Sequence, residues 1–175
     1  MAKMTYFVTS DLHGNSEITF DMLSLAKEKR VDGMIIAGDL CPQDHTIALA
    51  IQNAPFSVHA VRGNCDSPWD FRDLGLPIPP LSETIVRDDL TTLAISHGHL
   101  IWEPEGLKRG DIFITGHTHV PELYRDEDGI IRLNAGSPSR PRSQSGPTYA
   151  LIYPERICIV QYPSGRILSS LEIRE

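Results

Sequence analysis

The sequence predicts an α/β fold in which two β-sheets pack face to face with helices against their outer faces, a four-layer α-β-β-α double β-sandwich. Three observations carry this. The first sixty residues alternate apolar strand-like runs with helical rhythms, whereas the last third is a series of β arms joined by turns. At 175 residues with 41% hydrophobic content, the chain is long enough for one sizeable core and too short for two ordinary ones, so residues 1–175 are read as one domain.

Met4 to Thr9 is apolar and β-branched on both faces, as a central strand should be, and it stops at Ser10-Asp11-Leu12-His13-Gly14. Thr19 to Arg30 follows a helical rhythm through Phe20, Leu23, Leu25 and Ala26, with Glu17 early and Lys27, Lys29 and Arg30 late, the order the helix dipole favours. Val31 to Ala37 is a second strand ending in Gly38-Asp39, which makes a βαβ unit with a right-handed crossover. A second helix is expected from Asp44, its cap, to Asn53. The third strand, Phe56 to Val61, ends in Arg62-Gly63-Asn64-Cys65-Asp66.

Ser67 to Ser82 carries Pro68, Pro77, Pro79 and Pro80 with Trp69 and Phe71, and reads as a loop over or beside the strand ends. Glu83 to Arg87 and Leu90 to Ser96 form a hairpin across Asp88-Asp89, and the second arm ends in His97-Gly98-His99. A short helix over Pro104 to Arg109 precedes the strand Ile112 to Thr115, which ends in Gly116-His117-Thr118-His119. Another hairpin, Glu122 to Arg125 with Ile130 to Asn134, turns through Asp128-Gly129. Ser139 to Pro147 is a polar loop, and Thr148 to Tyr153, Ile157 to Tyr162 and Ile167 to Ile173 complete an antiparallel back half.

The polar strand ends collect Asp11, His13, Asp39, Asn64, His97, His117 and His119, all metal-competent nitrogen or oxygen donors. Taken alone, His117 and His119 would read equally well as hydrogen-bonded or surface histidines. Their company changes that, because the C-terminal edge of a largely parallel sheet is where such ends converge. Seven donors exceed one tetrahedral zinc but suit two divalent metals bridged by a carboxylate, for which Asp39 is the candidate. Two such ions activate a water and hold phosphoryl oxygens.

The net charge of −7 argues against an electrostatic grip on nucleic acid or an anionic membrane, so no stable nucleic-acid complex and no membrane association are expected. Three cysteines without a CxxC pair, and no signal-like start, suit the cytoplasm. The apolar proline-rich segment, with Trp69 and Trp102 near in sequence, would suit a homodimer or a higher homo-oligomer.

In the order Asp11-Leu12-His13, Gly38-Asp39, Gly63-Asn64-Cys65-Asp66, His97 within SHGH, and Gly116-His117-Thr118-His119, the chain resembles the calcineurin-like metallophosphoesterases, and within them the small microbial phosphodiesterases. The resemblance implies that Asp11, His13 and His119 hold one metal, that Asn64, His97 and His117 hold the other, and that Asp39 bridges. It further implies hydrolysis of a small phosphodiester or nucleotide-like substrate by in-line attack of a bridging hydroxide, with Asp39, Asn64, His97 and His99 serving the reaction. Manganese is the expected ion, with nickel, cobalt, iron or zinc as alternatives.

Many relatives carry histidine where this chain has Cys65. A thiol with a pKa of about 8.5 is a poor acid at neutral pH, which favours diesters over monoesters. A phosphomonoesterase or nucleotidase is the alternative enzyme. A non-catalytic protein-interaction scaffold, as in the similar retromer subunit, is the alternative outside enzymology, although that subunit departs from the metal-site pattern kept here. His99 is read either as a substrate contact or proton donor, or as a supporting histidine. Arg62, Arg140 and Arg142 are candidate phosphate contacts. Asn134 and Ser137 are expected to close a turn beneath the site, Asp66 either to brace it or to be solvated, and His45, His59, Cys41 and Cys158 to lie outside it.

Overall fold

The computed structural model describes residues 4–87, 90–100 and 102–174. Eleven strands and three helices run in the order β1 (Tyr6–Thr9), α1 (Ser16–Glu28), β2 (Gly33–Ile36), α2 (His45–Gln52), β3 (Ser57–Ala60), α3 (Pro68–Asp73), β4 (Ser82–Val86), β5 (Thr92–Ser96), β6 (Ile112–Thr115), β7 (Pro121–Arg125), β8 (Ile131–Ala135), β9 (Thr148–Ile152), β10 (Arg156–Gln161) and β11 (Ile167–Glu172). They form two mixed sheets. One has the order β11-β10-β9-β1-β2-β3 and the other β4-β5-β6-β8-β7.

Alternation along single strands builds the layers. In β1, Tyr6 and Val8 enter the core between the sheets with Ile35, Ile95, Ile114 and Leu133, while Phe7 points the other way into the helical layer. There Phe7 stacks on Tyr149 at 4.8 Å between ring centroids and meets Met22, Leu23 and Ala26 of α1 and Phe71 of α3. Strands β1, β2 and β9 are buried throughout and central, as their unbroken apolar runs require, and β7 at an edge alternates in burial.

The double sandwich is as the sequence predicts, with three local corrections. Ser67 to Ser82 is not all loop. Ser67 and Pro68 start the short helix α3, where proline at the first turn costs no hydrogen bond, and Phe71 anchors it. Pro104 to Arg109 forms turns rather than a helix, because Gly106 and Gly110 adopt φ of +79° and +90°. On that outer face the cover is Trp102 and Leu107 packed on Ala94, Phe113 and Ile130.

The third correction is one of direction. The back half is not purely antiparallel, since β5, β6 and β8 lie parallel. This orientation brings the ends of β5 and β6, with their histidines, to one edge of the sheet. Strand β9 pairs antiparallel with β1, so the last three arms extend the first sheet. The hairpin of β4 and β5 is antiparallel as expected, while its turn at Asp88-Asp89 lies outside the described residues.

Asp44 caps α2, accepting from Thr46 N at 2.9 Å, Ile47 N at 3.0 Å and Ser16 Oγ at 2.9 Å. The Thr46 hydroxyl bond, then the Ile47 and Ser16 bonds, hold its carboxyl at about 2 rather than its ordinary 3.8. A depressed folded-state pKa gives stability that is present above the unfolded value and lost as pH falls through the folded one. Asp44→Ala is therefore expected to lower the melting temperature at pH 7, and the gap to the wild type to close between pH 4 and 2 in a thermal-melt series.

Candidate metal centre

Five strand ends meet at one edge of the sandwich, and the backbone there is unusual. Asp11, His13, Asp39, His117 and His119 all adopt left-handed φ, at 56°, 48°, 53°, 69° and 60°. Residues with a Cβ enter this region at a cost of order 1–2 kcal/mol each, and such strain concentrates at functional sites. It turns each side chain back over the strand end instead of letting it continue outward.

Asp11 and Asp39 are almost completely buried, at 0% and 1% exposure. Asp11 Oδ2 receives the His117 N–H at 2.9 Å and the Ser10 hydroxyl at 2.6 Å. Its Oδ1 has no hydrogen-bond partner. Around that oxygen stand the Nε2 atoms of His119 at 3.2 Å, His13 at 3.6 Å and His97 at 3.8 Å. Asp39 Oδ1 accepts the Cys65 N–H at 2.8 Å, while Oδ2 lies 3.2 Å from His97 Nε2 and 3.6 Å from His13 Nε2. Asn64 Oδ1 sits 3.0 Å from both His97 Nε2 and His117 Nδ1.

The imidazoles are aimed by their other nitrogens. His97 Nδ1 donates to the Ala37 carbonyl at 2.8 Å and His119 Nδ1 to the Arg140 carbonyl at 2.6 Å, leaving each Nε2 with a lone pair toward the carboxylates. Burial works against ionisation of Asp39, yet the His97 and Cys65 hydrogen bonds and the neighbouring histidines hold its carboxyl at about 2. Burial also disfavours charge on His97, but Asp39 and the Ala37 carbonyl lift its pKa above the ordinary imidazole value. For His13 burial prevails and its pKa falls. Two buried carboxylates thus create a field that favours cations.

The donors fit two divalent ions. Asp11, His13 and His119 converge as one set, and Asp39 with Asp11 and His97 as another, each with donor atoms within 4.8 Å of one another. Asp39 belongs to both neighbourhoods. A buried carboxylate oxygen without a donor, faced by the Nε2 atoms of three imidazoles, is a costly arrangement until a cation sits among them. Asn64 and His117 are exposed, so this side of the cluster opens to solvent.

All seven predicted donors therefore come together. His99 stands beside them, with its ring 5.3 Å from His97 and 6.3 Å from His117. Burial, then His97 and His117, push its pKa down. Arg62 is close enough to His99, and Arg140 to His13, for their charges to act on those rings. Arg142 contributes its N–H to the His119 carbonyl at 3.1 Å, while its side chain is exposed.

Asn134 and Ser137 take the supporting parts expected. Asn134 Nδ2 donates to Gly116 O at 2.9 Å, and Ser137 Oγ to Asp11 O at 2.9 Å. His59 pairs with Glu83 at 2.7 Å away from the cluster, and His45 is exposed at the start of α2. Cys158 is buried in the helical-side core. Cys41 is tied to the site's frame through its N–H, and burial pushes its thiol up to about 12. Burial and then Asp39 also raise the exposed Cys65 thiol.

The sequence left Asp66 between two readings, and the structure decides for a brace. It is buried, and its carboxylate accepts from Asp39 N at 2.9 Å, Gly63 N at 2.8 Å and Cys41 N at 2.8 Å, binding two strand ends together. Asp66→Asn puts an N–H where an acceptor is needed. Groups supporting a metal site typically account for about 10–100-fold in affinity or activity. A loss in that range of manganese affinity, read by calorimetry, is expected; unchanged affinity would show that Asp66 does not hold Asp39 in place.

Ser10 and the carbonyls of Ala37 and Arg140 were not singled out by sequence. A hydroxyl beside a ligand is a faint signal, and a carbonyl is none.

The profile of the calcineurin-like phosphoesterase superfamily domain matches residues 4–156. "Phosphodiesterase YfcE" of Escherichia coli K12 is 27% identical over 185 residues, covering 97% of this chain and 98% of that protein. Its solved structure, described as that of a phosphoesterase, superimposes with a TM-score of 0.85 at 25% identity over 98% and 100% of the two chains. "Probable metallophosphoesterase YsnB" of Bacillus subtilis is 29% identical over 166 residues, 85% of this chain and 83% of that one. Vps29 of Chaetomium thermophilum, solved with a cyclic peptide, shares the fold with a TM-score of 0.58 at 13% identity, covering 97% of this chain and 95% of that one.

Proposed function

Because the chain belongs to the calcineurin-like phosphoesterase superfamily, we propose that it is a dinuclear metal-dependent phosphodiesterase acting on a small phosphodiester or nucleotide-like substrate. The observation that carries this is Asp11 Oδ1, fully buried, unpartnered and faced by three imidazoles. We assign Asp11, His13 and His119 to one metal and Asn64, His97 and His117 to the other, with Asp39 bridging. The similarity to YfcE and the distances above support this division.

Two divalent ions bound there supply an activated water and neutralise the phosphoryl charge. The protein's own groups do the rest. Asp39 sets the spacing between the two donor sets. The neutral ligands Asn64 and His117, on the exposed side, leave that set more cationic and free to take a phosphate oxygen. His99 contacts the substrate as a neutral hydrogen-bonding group. Arg62 and Arg140 flank the opening with positive charge.

Cys65, beside Asn64, has a raised thiol pKa and does not offer the acid that a monoester's poor leaving group demands, which supports diesters as substrates. Manganese suits the imidazole, carboxylate and carboxamide donors, as do other first-row ions. Three free cysteines fit a cytoplasmic setting, and no helix among the described residues is long and apolar enough to cross a membrane. We read residues 1–175 as one catalytic domain. Trp69, 62% exposed on α3, would suit a contact between two copies.

The test is metal removal followed by manganese, with bis(p-nitrophenyl) phosphate assayed beside p-nitrophenyl phosphate. Metal-dependent turnover favouring the diester is expected. Turnover of neither, with metal bound, would leave the scaffold reading; a preference for the monoester would make the chain a phosphomonoesterase and overturn the role given to Cys65.

A further inference from the structure

A cavity of about 290 Å³ adjoins the donor cluster, walled by Leu81, Ser96, His97, His99, Leu100 and Trp102. It begins at His97 and His99, so a diester with its phosphorus at the cluster would send one ester arm into it. Leu81 and Leu100 are 46% and 51% exposed there, two apolar side chains left facing water beside a polar centre. Trp102 is held edge-on against Phe113 at 5.8 Å and 71°, a rigid aromatic wall.

Two of the wall residues have unmet polar atoms. Ser96 is 5% exposed and its Oγ has no partner, and His99 Nδ1 likewise has none. Buried polar atoms nearly always find partners, so two orphans in one wall call for an explanation. No Asp, Glu, Lys or Arg borders the cavity among the described residues. Apolar and aromatic walls with a few polar atoms are the make-up of a small-molecule site, and this volume lies at the lower end for such sites, enough for one ring system.

We propose that this cavity is the subsite for a nucleobase-bearing ester arm, a flat, uncharged ring with a hydrogen-bonding edge that stacks on Trp102 and meets Ser96 and His99. The proposal rests on the phosphodiesterase reading and names the substrate class of that same site.

Thymidine 5′-(p-nitrophenyl phosphate) and methyl p-nitrophenyl phosphate share a leaving group and differ only in the other arm. On the manganese-loaded protein, kcat/KM is expected to favour the nucleoside ester by about tenfold or more, the scale of stacking a base on an aromatic side chain. Trp102→Ala is expected to bring that ratio to within about threefold of one. Ser96→Ala should lower it by several-fold while leaving the melting temperature unchanged or raised, because the hydroxyl has no protein bond to lose.

Equal rates in the wild type, or a ratio that survives both substitutions, would overturn the subsite. If neither ester is turned over, the phosphodiesterase reading fails and the subsite is judged by binding alone. Thymidine 5′-phosphate should quench Trp102 fluorescence in a Trp69→Phe background, and the absence of quenching would refute it.

Discussion

Asp39→Asn is expected to reduce manganese-dependent hydrolysis of bis(p-nitrophenyl) phosphate by roughly 10³-fold or more, and to do so without loss of the fold. The substitution keeps shape and removes charge. Asp39 Oδ2 faces both His97 and His13, one imidazole from each donor set. Metal stabilisation of a phosphoryl transition state is worth several kcal/mol, and each ~1.4 kcal/mol is a factor of ten. His97→Ala should act in the same sense, since His97 Nε2 meets Asp39 and Asn64 together. Manganese stoichiometry measured beside the rates separates loss of metal from loss of fold; near-normal turnover in either variant would mean that the cluster is not the catalytic one.

Gly116→Ala is expected to be nearly as damaging although it alters no donor. A Cβ there would overlap Ser10 Oγ and come within 2.8 Å of both the Ala37 carbonyl and Asp11 Oδ2. None of these can retreat cheaply. Ser10 bonds the Asp11 carboxylate, and the Ala37 carbonyl aims His97. Overpacking of this kind costs about 1–3 kcal/mol in stability, while displacing catalytic groups by about 1 Å can cost 10²-fold in rate. Turnover should therefore fall by at least that factor while the metal-free protein still melts cooperatively. A variant with wild-type kcat/KM would show that the strand ends are not packed as closely as described.

Much of the site was legible before the fold was known, for a definite reason. Each apolar run stops at a polar, glycine-containing segment, and sheets bring such ends together, so Asp11, Asp39, Asn64, His97 and His117 could be read as neighbours from their positions alone. What could not be read was how the ends turn. The left-handed backbone at Asp11, His13, Asp39, His117 and His119 has no glycine to announce it. It is imposed by the carboxylate, carbonyl and N–H contacts around it, which are tertiary.

Direction was hidden for a similar reason. An apolar strand such as Ile112–Thr115 looks the same whether it runs parallel or antiparallel to Thr92–Ser96. The placement of His97 beside His117 shows why parallel pairing matters here, because reversal would put them at opposite edges. The helix expected over Pro104 to Arg109 failed on Gly106 and Gly110, and the helix α3 was obscured by the prolines that follow it.

The most direct test is anomalous diffraction from crystals soaked in manganese. Two peaks about 3.5–4 Å apart are expected, one among Asp11, His13 and His119 and the other among Asn64, His97 and His117, with the Asp39 carboxylate between them. A single peak, or peaks that leave Asp39 outside the coordination of both, would contradict a dinuclear centre built on these strand ends.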